Sequence, residues 1–487
     1  MMMMTKDMSY QAVFARKNEI LKKATGIDFS RFESGSIAFD YERMMSSVGY
    51  SFEEIKEIQR LQGVGNTPMI ELRNITALAR KCAKPGMGAR IFVKDESANR
   101  SGSFKDRRAA TAVHQAKKLG YKGVAAATSG NYGAAVASQA ATQGLDCIVV
   151  QEAFDSHKIG QPEILEKTRK CEAYGAEVIQ MTVGPELFYK FLSVLEETGY
   201  FSASLYSPFG IAGVETLGTE LVEQIREITA KEGKMKDPDA VIVTHAGGGN
   251  VTGTARGLKR AGCDAKVIAA SVNLKGLHMA SDSQFNKKSF TTGHTGFGFP
   301  FATWPDRSDM PRNAARPLRY IDEYVLVNQG EVFYTTELLA NIEGLERGAA
   351  GNTSLSAAIA IAKEMPEDAI IVVQETEYTG AGKHIQPQLS FARQNGVKIS
   401  FGNPEDEVPG QSIILPEHPS LLGARPVDLD KMRASLIRNY MNKLKEDLGQ
   451  DVINLLEEDI HFLAEETNQT TEFVSKILVE QLGGSGI

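Results

Sequence analysis

Cysteine and long apolar runs are scarce in this chain of 487 residues. Its four cysteines lack the spacing of a metal site, so we interpret them as thiols of a reducing compartment. No apolar run approaches the roughly 18 residues of a membrane-spanning helix. Asp7 follows the initial methionines closely, so we expect no signal peptide and a cytoplasmic location. The cysteines are Cys82, Cys147, Cys171 and Cys263.

An excess of basic charge is also absent. The chain has 54 lysines and arginines against 61 acidic residues, a net charge of −7, which argues against a general nucleic-acid binder. Its hydrophobic content of 42% and charged content of 24% are typical of a globular protein. This length is enough for two or more domains around a large core.

Short apolar runs alternate with helical patterns along most of the chain. The runs suit strands that are buried on both faces, and the intervening helices suit crossover connections. The pattern predicts an α/β fold with largely parallel sheets. The predicted strands are residues 91–94, 123–127, 147–150, 177–181, 240–243, 267–271 and 370–374.

The most informative stretch is 97–107, which places Lys105 after a Gly/Ser loop and at the start of a helical pattern. A helix N-terminus is electropositive, and both this field and burial disfavour an ammonium group. A neutral lysine is nucleophilic and forms Schiff bases with carbonyl compounds such as pyridoxal phosphate. Many lysines at helix starts are solvated surface residues, so this stretch alone leaves both interpretations open.

Two glycine-containing loops follow predicted strands and precede helical patterns. Residues 128–133 and 244–250 both offer backbone N–H groups at a helix N-terminus, where anions bind. Three consecutive glycines in the second loop let the backbone wrap a phosphate, although neither the Walker nor the dinucleotide spacing is present. The alternatives are an ordinary strand-to-helix loop for the first and a flexible loop for the second.

Together these segments resemble fold-type II pyridoxal-phosphate enzymes, and within them the threonine synthase-like group, over about residues 60–400. The sequence departs from that group at residues 100–101, where Arg-Ser replaces the usual Pro-Thr. The resemblance implies a tryptophan synthase β-like fold, with two open α/β domains and helical extensions at both ends. The matching motifs are residues 65–68, 101–107, 128–133, 246–250 and 379–383.

The resemblance also implies a role for each motif residue. Lys105 would be catalytic and would form the Schiff base with pyridoxal phosphate. Asn131 would bind the 3′-oxygen of the cofactor, and the hydroxyl of Thr379 would meet its pyridine nitrogen. The phosphate would bind at Gly247, Gly248, Gly249 and Asn250. The substrate carboxylate would bind at Ser129, Gly130, Asn131 and Tyr132.

The implied domains are a small one at 119–209 and a large one at 61–118 and 210–404, with the cofactor in the cleft between them. Residues 1–60 and 405–487 are extensions. In the second extension we predict helices over 429–448, 451–465 and 471–482. These helices are either a cap on their own subunit or a docking surface for another chain.

Two further features carry open alternatives. The loop-rich segment 276–319 contains four arginines that either receive phosphates of a nucleotide-bearing cosubstrate or form surface ion pairs. His245, just before the glycines, either assists the chemistry or is an ordinary loop histidine. The arginines are Arg307, Arg312, Arg316 and Arg319.

The pattern of the whole chain is most similar to the β subunits of 2-amino-4-ketopentanoate thiolases, through residues 10–20, Arg100, His245 and residues 374–378. This resemblance implies cleavage of that amino acid with coenzyme A (CoA) to acetyl-CoA and alanine, in ornithine degradation. It also implies a small α subunit as partner and a homodimer of this chain within the complex. The alternatives are threonine synthase, or a related lyase acting on a hydroxy- or phosphohydroxy-amino acid, and a non-catalytic scaffold that binds pyridoxal phosphate.

Overall fold

The structure is a computed structural model that describes residues 6–128, 130–154, 158–184, 186–274, 309–378, 385–448 and 455–482. Its strands are β1 (Met69–Glu71), β2 (Arg90–Asp95), β3 (Gly123–Thr128), β4 (Asp146–Phe154), β5 (Glu177–Thr182), β6 (Phe201–Ser202), β7 (Ala240–Thr244), β8 (Lys266–Val272), β9 (Glu323–Val327), β10 (Ile370–Glu375), β11 (Lys398–Gly402), β12 (Ser412–Pro416) and β13 (Arg425–Pro426). Its helices are α1 (Tyr10–Ala15), α2 (Lys17–Thr25), α3 (Tyr41–Ser46), α4 (Phe52–Leu61), α5 (Arg73–Lys81), α6 (Lys105–Lys118), α7 (Asn131–Gln143), α8 (Pro162–Ala173), α9 (Glu186–Thr198), α10 (Pro208–Lys231), α11 (Gly249–Arg260), α12 (Gln329–Glu343), α13 (Ala349–Ala362), α14 (Ile385–Gln394), α15 (Leu429–Leu448), α16 (Glu457–Thr467) and α17 (Thr471–Leu482).

The larger sheet has the strand order β1-β2-β10-β7-β8-β9-β13. Its inner pairs are parallel, and only the edge strands β1 and β13 are antiparallel to their neighbours. Strand β10 is buried along its whole length, as expected for an apolar strand covered by helices on both faces. All seven predicted strands are present, which confirms the α/β class, although β5 is partly exposed rather than buried.

The smaller sheet has the order β5-β4-β3-β6, and all its pairs are parallel. Its strands lie within residues 119–209, which agrees with a small domain there, although the domain limits stay a prediction. Parallel strands place their carboxyl ends at one edge of a sheet, where loops build binding sites. Residues 128–133, the asparagine loop, follow β3, and residues 244–250, the glycine loop, follow β7. Each loop therefore lies at the carboxyl edge of its own sheet.

The C-terminal helices pack on their own subunit. Tyr440, Leu463 and Leu478 belong to the main hydrophobic core. The Asp459 carboxylate accepts a hydrogen bond of 2.8 Å from the amide of Ile37, in the N-terminal extension. These contacts support the cap interpretation. The predicted bounds of α15 and α17 are correct, but α16 begins at residue 457 rather than 451. Across the described ranges, no helix combines the length and apolar character needed to cross a bilayer.

Candidate active site

The loop before Lys105 is held by the two residues that follow it. Helix α6 begins at Lys105, and the Asp106 carboxylate accepts a 2.6 Å hydrogen bond from the Ser101 amide. The fully buried guanidinium of Arg107 lies 2.7 Å from Glu96 and 3.0 Å from Glu220. Asp106 and Arg107 therefore anchor the loop, and Lys105 takes no part in these anchoring contacts.

The amine of Lys105 has an unusual acidity. Burial lowers the pKa of Lys105 to about 7; Glu377 opposes this shift, while the cations Lys167 and Arg108 add to it. A large share of this lysine is therefore a neutral, nucleophilic amine at neutral pH. Lys105 begins helix α6, as expected from the sequence, and burial is the largest cause of its lowered pKa.

The glycine loop is a cradle that admits no side chain. A Cβ on Gly247 would lie 1.4 Å from the Tyr206 hydroxyl, and one on Gly248 would lie 2.5 Å from Pro317. Gly248 also has a φ of 81°, which favours glycine. Helix α11 begins at Gly249, so the amides of the glycine loop lie at the electropositive N-terminus of this helix. This geometry suits a bound phosphate.

Arg108 is a further residue of this cradle that the sequence reasoning missed. A Cβ on Gly249 would lie 2.5 Å from its Nη2, so the guanidinium abuts the glycine loop. The guanidinium carbon of Arg108 lies 5.2 Å from the ring centroid of Phe104 and 5.8 Å from that of Tyr206. Within the described ranges, the buried Nε of Arg108 and Nδ2 of Asn250 have no hydrogen-bond acceptor. An anionic oxygen would satisfy both, so these residues fit a phosphate group. The spacing of three from Lys105 on one helix was the available signal.

The asparagine loop begins α7. The Thr128 hydroxyl accepts hydrogen bonds from the amides of Gly130, at 2.9 Å, and Gly133, at 3.3 Å. Asn131 is buried at the helix start, and Tyr132 is buried beside it, with its hydroxyl 3.4 Å from the carbonyl oxygen of Ser204. The predicted residues Ser129 and Thr379 lie outside the described residues.

His245 and the described arginines of segment 276–319 have structural partners. His245 is buried with Nδ1 3.2 Å from the Tyr324 hydroxyl, and burial lowers its pKa to about 3, so it is neutral. Arg316 and Arg319 both pair with Glu466 of α16, and Arg312 lies 3.5 Å from a Glu33 oxygen. These contacts support the ion-pair interpretation; Arg307 lies outside the described residues.

Several known proteins are similar to this chain. The family model described as "Pyridoxal-phosphate dependent enzyme" matches residues 60–377. The chain is 66% identical over 480 residues to a 2-amino-4-ketopentanoate thiolase beta subunit of Acetoanaerobium sticklandii, covering 99% of this chain and 100% of that protein. A threonine synthase of Halalkalibacterium halodurans is 31% identical over 198 residues, or 40% of this chain and 49% of that protein. The crystal structure of a pyridoxal 5'-phosphate-dependent aspartate racemase shares the fold, with a TM-score of 0.54 and 21% identity over 67% of this chain and 95% of that one.

Proposed function

Because the chain belongs to the family of pyridoxal-phosphate dependent enzymes, we propose that it is the β subunit of an enzyme that cleaves 2-amino-4-ketopentanoate with CoA. The observation that carries this proposal is the 66% identity to a thiolase beta subunit along the whole of both chains. The similarity to threonine synthases is lower and shorter, at 31% identity over 40% of this chain for one and 27% over 61% for another.

The proposed reaction balances without an external oxidant or reductant. The bond between C3 and C4 breaks, and the CoA sulfur bonds to C4, which gives acetyl-CoA. The thiol proton is delivered to C3, and the remaining fragment is alanine. When bound, pyridoxal phosphate supplies an electron sink for carbanions formed next to the substrate amino group.

The chain's own residues hold the cofactor and move protons. The amine of Lys105 would attach the cofactor and, with a pKa of about 7, could accept and return a proton at Cα of the substrate. The amides of Gly247, Gly248 and Gly249, the Asn250 side chain and Arg108 would bind the phosphate. Asn131 would bind the 3′-oxygen, Thr379 the pyridine nitrogen, and the loop of Ser129, Gly130, Asn131 and Tyr132 the substrate carboxylate.

We further propose a cytoplasmic complex with a small α subunit, in which this chain forms a homodimer. The relative's name describes it as a beta subunit, which supports the existence of such a partner. The described part of the chain already contains the loop that precedes Lys105 and the glycine loop at the start of α11. We therefore expect this chain alone to bind pyridoxal phosphate, and thiol-dependent cleavage to require the partner.

The test is a reconstitution. This chain, its α subunit, 2-amino-4-ketopentanoate and CoA should yield equal amounts of acetyl-CoA and alanine, measured by chromatography. Omitting either CoA or the α subunit should reduce the yield to background. Release of phosphate from phosphohomoserine, with no CoA-dependent cleavage in the full mixture, would instead identify a threonine synthase. Cofactor binding with neither activity would favour a scaffold.

A further inference from the structure

A buried lysine, Lys167, contacts Gly130 of the asparagine loop and pairs with Glu377. It projects from α8, beside the smaller sheet, and its side chain is only 4% exposed. Its Nζ is 2.5 Å from a carboxylate oxygen of Glu163, one turn earlier, and 3.6 Å from one of Glu377. No sequence motif indicates this lysine, and the proposed reaction assigns it no role.

Lys167 touches both sides of the site. A Cβ on Gly130 would lie 2.7 Å from Cδ of Lys167 and 3.7 Å from its Nζ. Glu377, its partner, forms an isolated bridge with Ser103, two residues before Lys105. The neighbouring amide of Tyr378 donates a 2.7 Å hydrogen bond to the Gly102 carbonyl. The Lys167–Glu377 pair therefore joins the asparagine loop to the loop that carries Lys105.

We propose that Lys167 and Glu377 are positioning residues that determine which of the two lysines, Lys105 or Lys167, carries a proton. The Lys167 ammonium repels a second positive charge on Lys105, whereas the Glu377 carboxylate attracts one. Arg108, on the helix of Lys105 itself, adds to the repulsion. The inference rests on the proposed role of Lys105 and is independent of thiolysis.

The balance between burial and the nearby carboxylates differs for the two lysines. Burial favours the neutral amine of Lys167, but Glu163 and Glu377 outweigh it and raise the pKa of Lys167. Glu377 also favours the charged form of Lys105, but burial outweighs it there and lowers the pKa of Lys105 to about 7. Glu163 thus holds the proton on Lys167, and the neutral amine is left at the position where a nucleophile is needed.

Trace acetylation of the cofactor-free protein tests this inference. Acetic anhydride labels neutral amines, so labelling of the Lys105 peptide between about pH 5 and pH 10, measured by mass spectrometry against an added model amine, gives its pKa. We expect Lys167→Met to raise the pKa of Lys105 and Glu377→Gln to lower it, each by at least about half a unit. The double variant should lie between the two single variants.

Lys170→Met is the matched control. Lys170 lies one turn further along α8 and donates to the Ser101 carbonyl, so Lys170→Met removes a neighbouring cation and its contact with the loop before Lys105 while Lys167 stays in place. A general loss of structure would move the pKa of Lys105 in one direction in every variant. Equal shifts in Lys167→Met and Lys170→Met, or shifts of the same sign in Lys167→Met and Glu377→Gln, would overturn the inference. If wild-type Lys105 itself titrated near about 10.4, the premise about Lys105 would fail instead.

Discussion

Two adjacent arginines of α6 should respond to substitution in opposite ways. Arg108 abuts Gly249 with its Nε lacking a partner among the described residues, whereas Arg107 is fully buried between Glu96 and Glu220. Arg108→Met should remove a charge-assisted hydrogen bond to the cofactor phosphate, worth about 1.5–3 kcal/mol. That energy corresponds to a roughly 10- to 150-fold weaker affinity for pyridoxal phosphate.

Stability should show the reverse order. Arg108→Met loses one hydrogen bond, to the Leu205 carbonyl, but no longer buries a charge, so the free energy of unfolding should change little. Arg107→Met leaves Glu96 buried without its guanidinium and should cost about 3–5 kcal/mol. Absorbance titration of the cofactor-free protein gives the affinity, and denaturant unfolding gives the stability. An Arg108→Met affinity within about threefold of wild type would refute the phosphate role.

Three further predictions concern Lys105 and the C-terminal cap. Borohydride reduction of the loaded protein should discharge its visible absorbance and label Lys105 in peptide maps; a label on Lys94 would contradict the site. Because only the neutral amine reacts, the rate at which pyridoxal phosphate binds the cofactor-free protein should rise through pH 7 and level off above about pH 8, whereas a continued rise toward about pH 10 would indicate an ordinary lysine. Glu466→Gln should destabilise the fold by about 3–5 kcal/mol because Arg316 and Arg319 lose their shared carboxylate, and the affinity for pyridoxal phosphate, measured by titration, should stay within about threefold of wild type.

The sequence predicts the buried parallel strands well because their signal is local. Strand β10 begins with four consecutive β-branched residues, 370–373, a composition typical of a strand covered on both faces. Six strands were missed: β1, β6, β9, β11, β12 and β13. Of these, β6 and β13 have two residues each, too few for any periodicity. The start of α16 was also predicted wrongly, because the residues before its acidic first turn give no clear signal of where the helix begins.

The candidate site residues also divide into those that the sequence indicates and those that only the structure brings together. Lys105 and the three consecutive glycines are visible in sequence because a loop that precedes a helix has a recognisable composition. Lys167 and Glu377 are 210 residues apart in numbering, and only the packing of α8 against the segment after β10 brings them together. No local pattern encodes such a meeting, so it required the structure.

Helix α6 explains why one short motif serves so many purposes. Successive residues of a helix point about 100° apart, so neighbours face different surroundings. Asp106 turns back to the Ser101 amide, and Arg107 turns into the buried acids. Lys105 and Arg108, three apart, return to the same face, and Arg108 abuts Gly249. The spacing between the proposed nucleophilic amine and the proposed phosphate-binding guanidinium is thereby fixed by a single helical turn. A substitution that distorted this turn should therefore impair both proposed functions, the reaction of the Lys105 amine and the binding of phosphate by Arg108. Exchange of either side chain alone should remove only one of them.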